Sequence, residues 1–430
     1  MDTPHCSKSE LDLFANNPVQ VSVLSDNIVT IKPVSVLDTK GQLEFYYGGG
    51  GADVYVDLSQ TYLRLKLSIT KSGMTGTVDE YETGFINNIL FSLFSQCEVY
   101  LNEVNITAMS SDYYHYKTYI QSLLNYSHDA ANTHLATAGF FLDTGSPPTA
   151  TDNNTGFKSR LAPFKGGKDV VLHSRLHGDI FDQPKLLPAG TEIRIRLVFA
   201  DRDFYLWDPD ATSSTEVKLK DASLYIRQVQ VNPSVVIAHQ RVFEKRNAVY
   251  PMKRTECKSY SIPQNSKNFN IHNLFTGVLP DKIYVAFITS KSFGGSLDTN
   301  PFTFIHKDIT GITLVENGVE RKIDDFSFDT DGNYNSAYST LFEGTGIHRL
   351  NTGHLITYTM YKNGYCLFCW DLTPDRSGHI AHTSIKKMGN IRLYGQFKTQ
   401  ITEPIICLVY AEFSVAMELD KYRKPKIYGA

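Results

Sequence analysis

Long apolar runs are missing from this sequence of 430 residues. No stretch approaches the roughly 20 consecutive apolar residues that a membrane-spanning helix requires. The opening residues, MDTPHCSKSELDLF, are polar and lack the apolar segment of a secretory signal. We therefore expect neither a transmembrane segment nor export through a signal peptide.

Cysteine is also scarce. The six cysteines are spread thinly and most lie in apolar, strand-like surroundings, at positions 6, 97, 257, 366, 369 and 407. Isolated thiols in apolar segments are typical of reduced protein cores. The sequence therefore predicts synthesis in a reducing compartment such as the cytoplasm.

An excess of charge of either sign is absent as well. The formal net charge is −3 and the pI is about 6.5, with charged residues making up 20% of the chain. Proteins that bind nucleic acid strongly carry basic patches or have a high pI. We therefore predict no strong nucleic-acid binding.

Motifs for phosphate or zinc binding are incomplete. The glycines from Gly48 to Gly51 are not followed by Lys-Ser/Thr and a helix, which predicts a turn and not a phosphate loop. Cys366 and Cys369 form a single pair, whereas a zinc ribbon needs two pairs. We interpret these cysteines as packing thiols.

Histidine and aspartate clusters are equally incomplete. His173 with His177, and His379 with His382, lack the glutamate of a metalloprotease helix, and no His-x-His of the cupin type occurs. The acidic group lacks full calcium-loop spacing and a closing glutamate, which predicts a solvated turn at Asp324, Asp325, Asp329 and Asp331. The sequence thus predicts no catalytic, cofactor-binding or metal-binding residues, no cofactor, and a protein that is not an enzyme.

Short alternating segments dominate what is present. In YLRLKLSIT (62–70) the leucines face one way and the polar side chains the other, which predicts a strand with one buried face. EIRIRLVF (192–199) alternates in the same way. Between them, the stretch Phe85 to Tyr126 changes from strand-like to a helical period on which Tyr116, Tyr119 and Leu123 share one face.

The same series of segments recurs later in the chain. Asn102 is matched by Asn317, Leu123 by Leu341 and Lys71 by Lys291, at separations of 215 to 220 residues. The IRL at 195–197 recurs at 391–393, a smaller separation because the loops of the second copy look shorter. Four matches in one order predict a duplicated domain, and a chain of this length exceeds the roughly 250–300 residues that one core supports.

Each copy has about eight short strands, one helix and long polar loops such as 127–168 and 200–216. The predicted fold class is therefore all-β, with two tandem eight-stranded jelly-roll sandwiches and one short helix in each. The predicted organisation is a flexible N-terminal arm, a first jelly roll, a linker, a second jelly roll and a basic C-terminal tail, at 1–17, 18–238, 239–254, 255–419 and 420–430.

Two segments are specific enough to compare with known families: FSLFSQCEVYLNEV (91–104) and YHYKTYIQSLLNY (114–126). These and several other segments, spread over nearly the whole chain, resemble the major capsid (hexon) proteins of Polinton/Maverick elements and adintoviruses. The others include SKSELDLF (7–14), DLSQTYLRLKL (57–67), SRLHGDIF (174–181), SIP (261–263), NPSVVIAHQ (232–240), FCWDLTPD (368–375) and LVYAEF (408–413). The tail DKYRKPKIYGA (420–430) is more basic than the family's pattern.

The resemblance implies a viral structural protein. Its expected partners are copies of itself, as a homotrimer with a pseudo-hexameric outline and as neighbouring capsomers, together with penton and minor capsid proteins. Such trimers tile an icosahedral shell around a dsDNA genome, so the expected location is the virion capsid after synthesis in the host cytoplasm. A capsid-like gene kept by a host for another purpose is a second possibility.

A different class of function also fits two jelly rolls. A glycan-binding or glycan-processing protein would need exposed aromatic side chains and carboxylates over a groove. The only candidate is Trp207 with the aspartates Asp201, Asp203, Asp208 and Asp210.

Overall fold

The computed structural model describes residues 13, 19–72, 83–107, 112–144, 154–208, 214–330, 332–379 and 384–428. The predicted N-terminal arm, residues 1–17, lies outside the described residues except for Leu13. Asp210, Asp331 and His382 also lie outside them. Among the described helices, none is long and apolar enough to cross a membrane.

The first half of the chain forms a sandwich of two four-stranded sheets. One sheet has the strand order β1-β10-β3-β7 and the other β2-β8-β5-β6. In chain order the strands are β1 (Val23–Ile31), β2 (Gln42–Tyr47), β3 (Val54–Ser72), β4 (Gly84–Phe85), β5 (Phe94–Leu101), β6 (Val104–Asn105), β7 (Val170–Arg175), β8 (Ile193–Phe199), β9 (Leu206–Trp207) and β10 (Ser214–Val231). The short β4 and β9 pair with each other outside the sandwich.

The second half repeats this arrangement. Its sheets have the orders β11-β18-β13-β16 and β12-β17-β14-β15, and β19 pairs with the end of β18. The strands are β11 (Ala248–Ile262), β12 (Asn268–Val278), β13 (Lys282–Thr289), β14 (Ile309–Glu316), β15 (Val319–Ile323), β16 (Leu367–Asp371), β17 (Met388–Phe397), β18 (Ile405–Leu419) and β19 (Pro425–Tyr428).

The two halves have the same topology. Leaving out β4, β9 and β19, the eight strands of each half occupy the same places in two sheets, so β1 corresponds to β11, β3 to β13 and β10 to β18. This is the jelly-roll order, and the predicted tandem jelly rolls are confirmed. The equivalent hairpins have equivalent turns: Asn102 and Glu103 between β5 and β6, and Asn317 and Gly318 between β14 and β15, all have positive φ.

Alternation places the core between the sheets. In β8, Ile193, Ile195 and Leu197 are buried while the intervening arginines are half-buried, as the sequence predicts. In the second half, Phe287 of β13 packs edge-on against Phe269 of β12, with ring centroids 5.5 Å apart. The sandwich interiors are thus filled by apolar side chains from both sheets.

The helices lie in the connections between strands. The helix predicted in each half is present as α2 (Tyr114–Asn125) and α8 (Asn335–Thr345). The prediction of only one helix in each half was incomplete, because the described residues also contain α1 (Ile89–Ser92), α3 (His128–Ala131), α4 (Thr155–Leu161), α5 (Arg202–Tyr205), α6 (Pro233–Phe243), α7 (Ser290–Phe293) and α9 (Tyr358–Lys362).

The polar stretch 127–168, predicted as loop, contains α3, α4 and 3-10 turns. Scattered apolar anchors hold these turns in place: Phe140, Phe157 and Phe164 are all buried. Asn154 caps α4, since its side-chain oxygen accepts a hydrogen bond from the Phe157 amide at 3.1 Å. Helices this short leave no periodic signal in the sequence, which is why the pattern did not predict them.

The segment between the halves and the described part of the C-terminal segment, up to Tyr428, both form regular structure. Residues 239–254, predicted as a linker, contain the last turns of α6 and the first residues of β11. Pro251 fits within β11 because that strand lies at a sheet edge. Within residues 420–430, predicted as a basic tail, β19 extends the β11 sheet along β18.

Candidate functional site

The cysteine pair is part of the core. Cys366 and Cys369 are both buried, and burial raises the pKa of each thiol above its ordinary value. Within the described residues no group of three or more His, Cys, Asp or Glu side chains could hold a metal ion. The interpretation of these cysteines as packing thiols fits their burial.

His173 and His177 do not form one site. His173 lies at the exposed surface of β7, where its ring stacks on Tyr62 with centroids 5.1 Å apart. His177 packs edge-on against Phe91 at 4.6 Å, and its burial lowers its pKa to about 4. A histidine that stays neutral against an aromatic ring has a packing role.

The acidic turn is held by aromatic side chains and a surface ion pair. Phe326 and Phe328 are buried between the aspartates. Asp329 pairs with Lys398 at 2.6 Å, and both side chains are about half exposed. The described part of this turn is thus a solvated turn anchored on the core.

Trp207 does not offer an aromatic platform for a glycan. Its side chain is only 6% exposed and its ring packs edge-on against Phe157. Asp208 is buried too, and it pairs with Lys71 at 3.2 Å and accepts a hydrogen bond from Thr215 at 2.6 Å. A glycan site needs exposed aromatic rings and carboxylates. Trp207 and Asp208 are instead buried and pack within the protein interior.

The main feature that joins distant parts of the chain is the junction between the two sandwiches. Helix α2 lies within it. Tyr116 stacks on Phe293 with ring centroids 5.6 Å apart, and Tyr119 stacks on Phe302 at 4.0 Å. These four rings are buried or half-buried. The helical face predicted from the sequence therefore contacts the second half as well as its own sandwich.

Hydrogen bonds and one ion pair add polar contacts across the junction. The Tyr113 hydroxyl lies 3.0 Å from that of Ser259, and the Thr255 hydroxyl donates to Asp179 at 3.2 Å. Asp179 also pairs with Lys117 of α2 at 2.7 Å, and both side chains are almost buried. Burial alone would lower the pKa of Lys117, but the Asp179 carboxylate outweighs it and the pKa is raised.

The C-terminal residues fasten the two halves at a second place. The Arg423 guanidinium lies 4.2 Å from the ring centre of Phe243 in α6 and donates to the Ala189 carbonyl at 3.0 Å. Asn102 in turn donates to the Arg423 carbonyl at 2.9 Å. No pattern in the sequence predicts this contact, because a basic C-terminal segment is equally consistent with a tail that contacts nothing.

A groove at the open edge of each sandwich is built from equivalent elements. The first, which we call the filled groove because β11 lies along it, is lined by β5, by the two residues after β6, by the start of α2, by the residues after β7 and by Met252, Thr255 and Cys257 of β11. A cavity of only about 30 Å³ remains. The second, the open groove, is lined by β15, α8, β16 and Arg376 after β16, and its cavity measures about 470 Å³.

The architecture places the chain among double jelly-roll proteins, in which one chain folds into two successive jelly rolls. Solved structures share this fold over the full chain. A chain of the Sputnik virophage, determined by cryo-EM, is similar with a TM-score of 0.70 and 13% identity, covering 100% of this chain and 93% of that chain.

Two other viral proteins are similar to this chain over nearly its whole length. A chain of the PBCV-1 virus capsid has a TM-score of 0.60 and 10% identity, covering 97% of this chain and 99% of that chain. The mavirus major capsid protein has a TM-score of 0.56 and 12% identity, with coverage of 100% and 96%. At these identities the similarity establishes the fold.

Sequence comparison gives one full-length relative. An uncharacterised protein of Caenorhabditis elegans is 24% identical over 413 residues, which is 93% of this chain and 95% of that protein. No protein-family profile matches the chain.

Proposed function

We propose that this protein is a viral major capsid protein of the Polinton/Maverick and adintovirus type. Three chains associate into a trimer whose six jelly rolls give a pseudo-hexameric outline, and trimers tile an icosahedral shell around a dsDNA genome. The observation that carries the proposal is the identical strand order of the two halves within one chain. Viral capsid proteins with the same fold match this chain over nearly its whole length.

Physical reasoning supports assembly through copies of the same chain. Two similar sandwiches in one chain let a three-fold ring present six similar units, so a trimer fits a position with six neighbours. Obligate interfaces of this kind bury more than about 2,000 Å² and are rich in aromatic side chains. The 25 tyrosines and 25 phenylalanines are in keeping with that need.

The remaining parts of the proposal concern partners and chain organisation. Copies of the chain are the first partners, and penton and minor capsid proteins complete the shell in the virion. The proposed units are those of the sequence: an arm at 1–17, jelly rolls at 18–238 and 255–419, a connection at 239–254 and an end segment at 420–430. The protein acts as a structural component without catalysis or a strong grip on nucleic acid.

The nematode relative favours an element that resides in animal genomes. It is similar over 95% of its own length, so the two chains share the whole double-sandwich region. A gene of this kind beside genes for a packaging ATPase, a protein-primed polymerase and a maturation protease would mark a working virus.

Light scattering coupled to size-exclusion chromatography tests the proposal. The purified protein is expected to have about three times the chain mass of 48.4 kDa. Negative-stain electron microscopy should show triangular or hexagonal particles, and shells at high concentration. A stable monomer that binds a glycan array would contradict the capsid function and favour the glycan-binding alternative.

A further inference from the structure

Two edge strands hold the same place in the two halves, and only one of them is covered. β1 and β11 each begin a sandwich and each lie at the edge of a four-strand sheet path, beside β10 and β18 respectively. β11 enters the filled groove of the first half. In β1 no side chain is fully buried, and Leu24 and Ile28 are 55% and 59% exposed.

Strand pairing gives the residue equivalence between β1 and β11. The separation of 220 residues that relates Lys71 to Lys291 also relates Tyr62 of β3 to Lys282 of β13. Tyr62 pairs with Tyr225, which pairs with Thr30. Lys282 pairs with Glu412, which pairs with Thr255. Thr30 therefore holds in β1 the position of Thr255, whose hydroxyl reaches Asp179 in the filled groove.

Among the residues that the structure describes, no strand runs along the open groove as β11 runs along the filled one. It shares elements with the filled groove: α8 is the counterpart of α2, β15 is the counterpart of the strand β6 that Ile106 and Thr107 follow, and both linings include residues that follow an equivalent strand, β16 or β7. Arg376 follows β16 as Asp179 follows β7, and Ser339 lies in the middle of α8. The filled groove, which is lined in part by β11, keeps a cavity of about 30 Å³, whereas the cavity of the open groove measures about 470 Å³.

We propose that β1 of a second copy of this chain occupies the open groove. The contact that α2 and its neighbours make with β11 inside one chain is then repeated between chains, by α8 and its neighbours with β1. Because the strand and the groove lie on opposite halves, the contact between chains is head-to-tail. Head-to-tail contacts close into a ring of three chains when each contact rotates one chain by about 120° relative to the next. The inference rests on the proposed trimer and identifies the surfaces that meet in it.

Cross-linking tests the contact directly. One cysteine replaces Thr30 and another replaces Ser339, in a chain that also carries Cys6→Ser, since the five other cysteines are buried. A short bis-maleimide should link Thr30→Cys protein to Ser339→Cys protein when the two are mixed. The double variant should give products of up to three chains on a denaturing gel.

A matched pair controls for random collision. Ile385 is 90% exposed and lies outside both grooves, so Ile385→Cys replaces Thr30→Cys in the control mixture. The yield with Thr30→Cys should exceed the control on the order of tenfold, because a specific contact raises the effective concentration of the two thiols. Equal yields in a protein that is still trimeric would overturn the proposed contact and leave the capsid proposal in place.

A second variant separates assembly from folding. Ser339→Trp places a large ring in the open groove, at a side chain that is half-exposed in the single chain. The variant should remain folded by circular dichroism and elute as a monomer. A Ser339→Trp protein that still forms trimers would overturn the contact, whereas a wild-type chain that never forms trimers overturns the proposed function and this inference together.

Discussion

The two equivalent edge strands, β1 and β11, have the same place in the fold but opposite environments. Met252 of β11 is 7% exposed and Cys257 is 3% exposed, whereas Ile28 of β1 is 59% exposed. The difference does not come from the sandwich to which each strand belongs, because both strands lie at a sheet edge. It comes from the neighbour: β11 has the first half of its own chain beside it, whereas no described residue of the other half covers β1.

This difference follows from the duplication within one chain, which produces two equivalent pairs of surfaces, of which one pair meets inside the chain and the other stays exposed. The junction between the halves contains stacked aromatic rings, hydrogen bonds and a buried ion pair. The counterparts of its surfaces, β1 and α8, remain exposed. An exposed strand edge is usually protected against unwanted pairing. An edge that stays open and exposes Leu24 and Ile28, in a protein of this fold, is better explained as one half of a contact between chains.

The largest expected effect comes from placing one charge on each strand. Met252→Asp puts a carboxylate into the filled groove, where it has little water, and should lower the free energy of unfolding on the order of 4 kcal/mol. Ile28→Asp puts the same charge on the exposed strand and should change it by less than about 0.5 kcal/mol in the monomer. Urea unfolding of dilute protein measures both.

Dilution matters because association stabilises the folded chain. At higher concentration, where trimers form, Ile28→Asp should weaken assembly. Equal losses for the two variants in dilute solution would mean that β1 is as well covered as β11 in the single chain.

An intermediate effect is expected from the ion pairs of the two grooves. Lys117 and Asp179 are 12% and 11% exposed in the filled groove, whereas Arg376 and Glu343 are 69% and 54% exposed at the open groove. Lys117→Met leaves Asp179 buried without its partner and should cost about 3 kcal/mol. Arg376→Met removes a solvated pair and should cost at most about 1 kcal/mol.

The double variant Lys117→Met with Asp179→Leu sharpens this comparison. Removing both charges leaves no unpaired carboxylate, so part of the loss should be recovered. If urea unfolding gave the same loss for Lys117→Met and Arg376→Met, the two grooves would be equally wet and the comparison between them would fail.

Periodicity predicted much of the fold and little of the junction. The alternation in β3 and β8 identifies strands because each has one buried face. The face formed by Tyr116 and Tyr119 was visible in the same way. A periodic pattern reports that a face is buried, but it does not report what covers it. The pairing of Tyr119 with Phe302 joins residues far apart in sequence, and only the fold brings them together.

The open groove is even harder to predict from the sequence than the junction. Its residues are polar and half-exposed, and Ser339 and Arg376 stand out in no motif. The repeat between the halves was the one usable signal, since it predicts that any contact made by one half has a counterpart on the other. Even so, the repeat could not predict that β11 is covered and β1 is not, because that depends on the order of the halves along the chain.

The smallest effect expected here is a pH dependence that belongs to the filled groove. His177 lines this groove, and burial lowers its pKa to about 4, below the ordinary value of about 6.5. Between these values the unfolded chain binds a proton that the folded chain does not. The contribution of His177 to the free energy of unfolding should therefore be nearly constant above pH 6.5 and fall by about 2 kcal/mol as the pH drops from 6.5 towards 4.

His177→Gln isolates that contribution from those of other histidines. Glutamine cannot titrate, so the variant should lose less stability than the wild type over the same pH interval, in urea unfolding at fixed ionic strength. His173→Gln is the comparison variant: that ring lies on the exposed face of β7, so the slope should change less than it does with His177→Gln. A slope unchanged by His177→Gln would mean that the filled groove admits water, and that β11 seals it less tightly than its buried side chains indicate.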